Sequence, residues 1–252
     1  MLLAVGLLLA VGVWCFLFLP PRRGLWTRTW IAAPVLTAYA VGALAATDRL
    51  DAVVGPVTPA EVGLGLGVGG AWLVATHVGH AVLCRLFPSF LAQVNDLYAI
   101  RDRSRLWSTV GAVVAMGVAE EVFFRGFVQD RVGLVAAVAA YTAVQAVERK
   151  WALALAALLG GTVWGLLFWW SGGLVAPVVA HVLWTGMLTF VWPLKGCDAD
   201  DPTEEARAGT RDGPAAELAR RVRPPAPGTA PGHEPPLPHP TPDPATLGEE
   251  TR

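Results

Sequence analysis

Residues 119–126 read AEEVFFRG: two adjacent glutamates and an arginine set among apolar residues. Glu121 and Arg125 are spaced i and i+4 with the acid first, the favourable order for an ion pair on one helix face. Glu120 points about 100° away on the same helix, so it is left free of the arginine. One locked carboxylate beside one available carboxylate suits a general base, which takes a proton from a water or a substrate group. A polar network that merely fixes helix packing would use the same residues. Charges inside an apolar helix are costly, however, at about 2.5–3.5 kcal/mol each on insertion scales, and they mark function by default.

Three further groups sit in apolar surroundings. In AHVLWTG at 180–186, His181 and Thr185 share a helix face. A neutral histidine there would donate to a developing oxyanion, with the threonine hydroxyl assisting; a core histidine bonded to a carbonyl is the plain alternative. Pro177, one turn earlier, is expected to kink that helix. In YTAVQ at 141–145, Tyr141 and Gln145 share a face. Gln145 can orient a carboxylate or a water through hydrogen bonds but cannot exchange protons usefully, and an interhelical hydrogen bond explains it equally well. His77 and His80, at i and i+3, are two metal ligands where a site needs more, so helix packing is the preferred reading. With no full ligand set in view, no cofactor is assigned, and a divalent metal is left open.

These groups must be held by apolar helices. The chain has 252 residues, 54% hydrophobic and 15% charged, with a net charge of -1; soluble domains carry roughly 25% charged residues. Near-neutrality gives no reason to expect nucleic acid as a partner. Seven stretches are long and apolar enough to cross a bilayer as helices: 1–19, 30–47, 62–87, 107–129, 131–147, 151–171 and 173–194. The third is the weakest, with glycines crowding its start; Gly63 and Gly67 form a small-xxx-small pattern suited to close helix contact. Trp26, Trp30 and Trp192 fall near span ends, as interface anchors do. The expected fold is all-α, a polytopic transmembrane bundle of about seven helices.

Charge placement gives an orientation. The first stretch lacks basic residues before its apolar core and is followed by Arg22 and Arg23, the pattern of an anchor whose N-terminus is outside. Seven spans then put Arg28, Arg85, Arg101, Arg103, Arg105, Arg149, Lys150 and Lys195 with them on the cytoplasmic side, and only Arg49 and Arg131 outside. Three divisions follow: N-terminal helices with a polar or amphipathic cytoplasmic linker (1–106), a core (107–194) and a tail (195–252). The tail has no aromatic residue and 12 of the 20 prolines, so it is expected to be disordered and cytoplasmic. The cysteines, Cys15, Cys84 and Cys197, fit neither a zinc spacing nor a disulfide framework.

EEVFFRG, then an aromatic-xxx-polar helix motif, then SGGLVAPVVAHVLWT at 171–185, resembles the CAAX protease and bacteriocin-processing family, which includes the type II CAAX prenyl endopeptidases, also called Abi-type intramembrane proteases. The resemblance covers 107–194. It implies that Glu120 activates a water for attack on a peptide bond, that Glu121 and Arg125 support it, and that His181 sits at the oxyanion. It also implies a plasma-membrane enzyme acting on a membrane-associated peptide or protein, prenylated or carrying a leader. The family's glutamate-activated water needs no zinc. Two positions depart from the pattern: Tyr141 and Gln145 stand for phenylalanine-xxx-histidine, and Thr185 for asparagine or aspartate. The alternative expectation is a catalytically weakened member that binds a membrane peptide in immunity or signalling.

Overall fold

A computed structural model of the chain describes residues 1–19, 24–101 and 106–194. The expectations for the tail at 195–252, and for Arg22, Arg23, Arg103, Arg105 and Lys195, fall outside the described residues. Every described element is helical. In order they are α1 (Leu2–Phe18), α2 (Leu25–Ala45), the short α3 (Leu50–Val54), α4 (Pro59–Leu86), α5 (Pro88–Arg101), α6 (Leu106–Glu120), α7 (Asp130–Gln145), α8 (Trp151–Ser171) and α9 (Val175–Gly186). α6 runs into α7 through a π-helix, Glu121–Gln129; a 3-10 turn, Ala146–Glu148, follows α7, and a second π-helix, Met187–Val191, extends α9. All seven expected stretches are thus helical.

Local chemistry sets the element ends. α4 begins where Thr58 accepts a hydrogen bond from the Glu61 backbone N–H at 3.3 Å with Pro59 at the first helical position, a cap that satisfies an otherwise orphaned donor. α8 ends at Gly172 with φ 71°, a left-handed cap. The break expected near residue 130 falls three residues later, at Gly133. The chain stays helical through Asp130 and departs only at Gly133, whose φ of 78° a glycine tolerates without penalty. Pro177 does not kink α9: it lies in the first turn, where its missing N–H has no intrahelical partner to lose. The expected linker is largely a helix, α5, docked on the bundle. There the Gln93 side chain accepts from the Ala152 N–H at the start of α8, and Asp96 pairs with Lys150 at 3.0 Å.

Those contacts gather the connections into two rims. One holds the end of α1, the start of α2, the α7–α8 turn, α5 and the end of α9, where the Tyr98 hydroxyl donates to Leu188 O and accepts from Leu194 N, both at 3.0 Å. The other holds the α2–α4 connection, the start of α7 and the α8–α9 turn. Arg49 binds Asp130 there through two hydrogen bonds, Arg131 reaches Thr47, and Leu174 N donates to Val54 O. The Arg49 guanidinium is held above its ordinary pKa by its hydrogen bond to the Asp130 carboxylate and by that charge.

Helix packing uses small residues, at a register offset from the expected one. Gly63 and Gly67 of α4 face open space, whereas a Cβ at Gly65 would lie 2.6 Å from Ala176 O and one at Gly69 2.8 Å from Ala180 O, so Gly65 and Gly69 bring α4 onto α9. The outer face of α4 exposes Leu66, Val74, Val78, Val82 and Leu86, an apolar stripe that water would not tolerate over this length. By length and hydropathy alone two helices qualify as spans, Pro59–Leu86 and Trp151–Ser171. The helix of residues 106–129 is divided by its π segment and carries Glu120, Glu121 and Arg125 at its middle, which lowers its hydropathy.

Candidate active site

The π-helix carries EVFFRGFVQ. π segments widen the turn and recur at functional sites. Here Glu121, Arg125 and Gln129, each four residues from the last, are buried, and the latter two reach α8. Arg125 Nη2 donates to Gly161 O at 3.2 Å, and Gln129 Nε2 donates to Gly165 O at 2.8 Å. The approach requires glycine: a Cβ at Gly161 would lie 2.9 Å from Tyr141 Cδ1, and one at Gly165 2.8 Å from Gln129 Oε1. Arg125 also lies over the Tyr141 ring, 4.7 Å from its centroid.

Glu121 is held from two sides. Its Oε2 forms an ion pair with Arg125 Nε at 3.2 Å, and its Oε1 lies 2.7 Å from His181 Nδ1 on α9. Both glutamate and arginine side chains are almost wholly out of solvent. A carboxylate only accepts hydrogen bonds, so Nδ1 carries the proton. The neutral ring then offers a lone pair at Nε2, and Nε2 donates only when the ring is doubly protonated. The indole of Trp164 stacks on the His181 ring at 5.7 Å and 17° and fixes its plane.

Glu120 faces away from this pair, as the helical angle requires. The Tyr141 hydroxyl donates to its Oε2 at 2.5 Å, and Phe124 packs against the Tyr141 ring. Gln145, one turn beyond Tyr141, accepts at Oε1 from the Trp14 indole N–H of α1 at 2.9 Å. Glu120, Tyr141, Gln145, His181 and Thr185 all line one cavity of about 440 Å³. The Thr185 hydroxyl is buried with no hydrogen-bond partner among the described residues. Elsewhere the cavity wall is mostly apolar and runs to Phe90, Val94 and Tyr98 of α5. Counting from Leu106, Glu120 lies roughly 20 Å along α6 at 1.5 Å per residue.

Every residue singled out in the sequence for the site therefore lies at this cavity or directly behind it. His77 and His80 do not join it as a pair of ligands. His77 Nδ1 donates to Leu73 O at 3.0 Å and the ring stacks on Trp192, while His80 contacts Cys84 Sγ. Among the described residues no three histidine, cysteine or acidic side chains gather around one point, and both Glu121 oxygens are already committed. The donor set does not fit a metal.

Trp14, Trp164 and the Gly161/Gly165 pair were not foreseen as parts of the site. The glycine spacing and the four-residue repeat Glu121, Arg125, Gln129 are visible in the sequence. Nothing in the sequence ties Trp14 to Gln145, which lies 131 residues away. Trp26, near the start of α2, also lines the cavity.

Residues 102–187, about a third of the chain, match the family model of the type II CAAX prenyl endopeptidase Rce1-like proteins. This is consistent with the CAAX protease resemblance, and the matched segment includes Glu120, Glu121, Arg125, Tyr141, Gln145, His181 and Thr185 but not Trp14. No curated protein and no solved structure matches the chain. A membrane-embedded protease family and the exposed apolar helices together make this a membrane protein, and at the coarse level the match is to hydrolases.

Proposed function

We propose that the chain is an intramembrane endopeptidase that hydrolyses a peptide bond of a membrane-associated substrate by water activated at Glu120. The observation that carries this reading is the division of labour between the two adjacent glutamates: Glu121 is tied to Arg125 and His181, while Glu120 faces the cavity with one oxygen held by Tyr141.

In the reaction, Glu120 takes a proton from the water as the oxygen attacks the carbonyl carbon. The carbonyl oxygen becomes an oxyanion, which the unpartnered Thr185 hydroxyl and His181 Nε2–H stabilise. Collapse expels the amine, which leaves with the proton held on Glu120. Because Glu121 claims the Nδ1 proton, His181 donates at Nε2 as an imidazolium. Ionised Glu120 and Glu121 then balance Arg125 and protonated His181, so the buried cluster carries no net charge. Glu121 and Arg125 are positioning residues.

The substrate class follows from the matched family and the apolar cavity wall: a prenylated peptide, with a leader peptide as the other source. We place the enzyme in the plasma membrane with its N-terminus outside and its tail cytoplasmic, because Arg28, Arg85, Arg149 and Lys150 lie at the rim opposite Arg49 and Arg131. The test is hydrolysis of a farnesylated peptide with three residues after the modified cysteine, in liposomes, by wild type and Glu120→Gln. Hydrolysis lost in the variant supports the reading, and hydrolysis retained overturns it.

A second reading has its own observation. Gln145, where the family has histidine, spends its carbonyl on Trp14 and cannot exchange a proton. A chain that binds a membrane peptide for immunity or signalling without cleaving it would show tight peptide binding and no turnover in wild type.

A further inference from the structure

We infer that Trp14, on a helix outside the family-matching segment, is a positioning residue that aims the Gln145 amide at the attacking water. The inference rests on the protease reading above and adds a residue to it.

An indole N–H donates and cannot accept. The Gln145 atom it meets at 2.9 Å must therefore be the carbonyl oxygen, which settles an amide orientation that is otherwise ambiguous. The Gln145 NH2 group then points the other way, and it makes no hydrogen bond to a described residue. Both Trp14 and Gln145 are buried and both line the cavity beside Glu120. A water there accepts from the Gln145 NH2 and donates to Glu120, leaving its second lone pair for the carbonyl carbon. A free amide would present its oxygen to that water half the time and compete with Glu120 for the proton.

Trp14 is itself held firmly. Its ring is 1% exposed and meets Phe124 edge-on at 5.9 Å, and Phe124 packs on Tyr141, the partner of Glu120. One indole on α1 thus supports both Tyr141 and Gln145 of α7. This explains how glutamine can serve here: a fixed amide supplies a directed donor, though no proton acceptor.

The experiment combines a double-mutant cycle with a spectroscopic arm, on the full chain in liposomes with the farnesylated peptide. Trp14→Phe keeps an aromatic ring and removes the donor. It should lower kcat about tenfold, the size of one neutral hydrogen bond, with KM within about twofold. In a Gln145→Leu background the same substitution should cost nothing further. Equal losses in both backgrounds would show that Trp14 acts only by packing and would overturn the proposal. In 15N-tryptophan-labelled protein, the indole resonance that Trp14→Phe deletes should move in Gln145→Leu; an unmoved resonance also overturns it. The resonance decides the contact whether or not the peptide is cleaved, so failure here is separable from retained hydrolysis in Glu120→Gln, which strikes the protease reading itself.

Discussion

His181 Nδ1 and Glu121 Oε1 lie 2.7 Å apart although 60 residues separate them in the chain. The contact joins the π-helix to α9 and sets the proton on the far side of the imidazole from the cavity. It turns a histidine that reads as a simple donor into one whose cavity nitrogen depends on a second proton.

Glu120→Gln keeps the shape of the side chain and can still accept from Tyr141, but it cannot take a proton. We expect hydrolysis to fall roughly 10³-fold, within the range for a general base, with thermal unfolding in detergent little changed. A variant retaining more than a tenth of wild-type turnover would remove Glu120 from its role.

Thr185→Val separates function from stability. The buried hydroxyl has no hydrogen-bond partner among the described residues, so its loss should leave the unfolding temperature unchanged or raise it. If the hydroxyl meets the oxyanion, kcat should fall about 10²-fold. A drop in stability with full kcat would contradict both halves of this expectation.

Breaking the Glu121–Arg125 pair on one side should be worse than removing it whole. Arg125→Met leaves a buried carboxylate short of its cation and should destabilise by about 3–5 kcal/mol, read as denaturant unfolding in mixed micelles. The double variant Glu121→Gln/Arg125→Met should recover part of that loss. Additive losses would mean the two side chains contribute independently.

Two neighbouring glycines on α8 predict opposite results. A Cβ at Gly161 would press on Tyr141 at 2.9 Å, whereas at Gly160 the closest atom, Trp164 Nε1, is at an ordinary 3.5 Å. Gly161→Ala should cost about 1–3 kcal/mol from overpacking and lower hydrolysis by displacing Tyr141 from Glu120. Gly160→Ala should be near neutral in both measurements. Equal effects would show that α8 shifts freely against α7.

Much of this protein is legible along the chain. The apolar stretches are helical because a polar backbone in hydrocarbon must bond to itself. The i, i+4 order of Glu121 and Arg125 pairs them, and the helical angle sends Glu120 elsewhere. These are local consequences of composition and period. The sequence alone misplaced the small-residue contact by two positions, from Gly65 and Gly69 to Gly63 and Gly67, because several glycines share that stretch and only α9 selects among them. It set a turn near residue 130, because nothing local shows that helical backbone continues to Gly133. It left Gln145 and the proton on His181 undecided, because a glutamine has two orientations and an imidazole two tautomers. Trp14 and Glu121 make those choices, and each stands on a different helix from the residue it orients. A hydrogen bond between helices depends on how they pack, and packing exists only once the chain has folded.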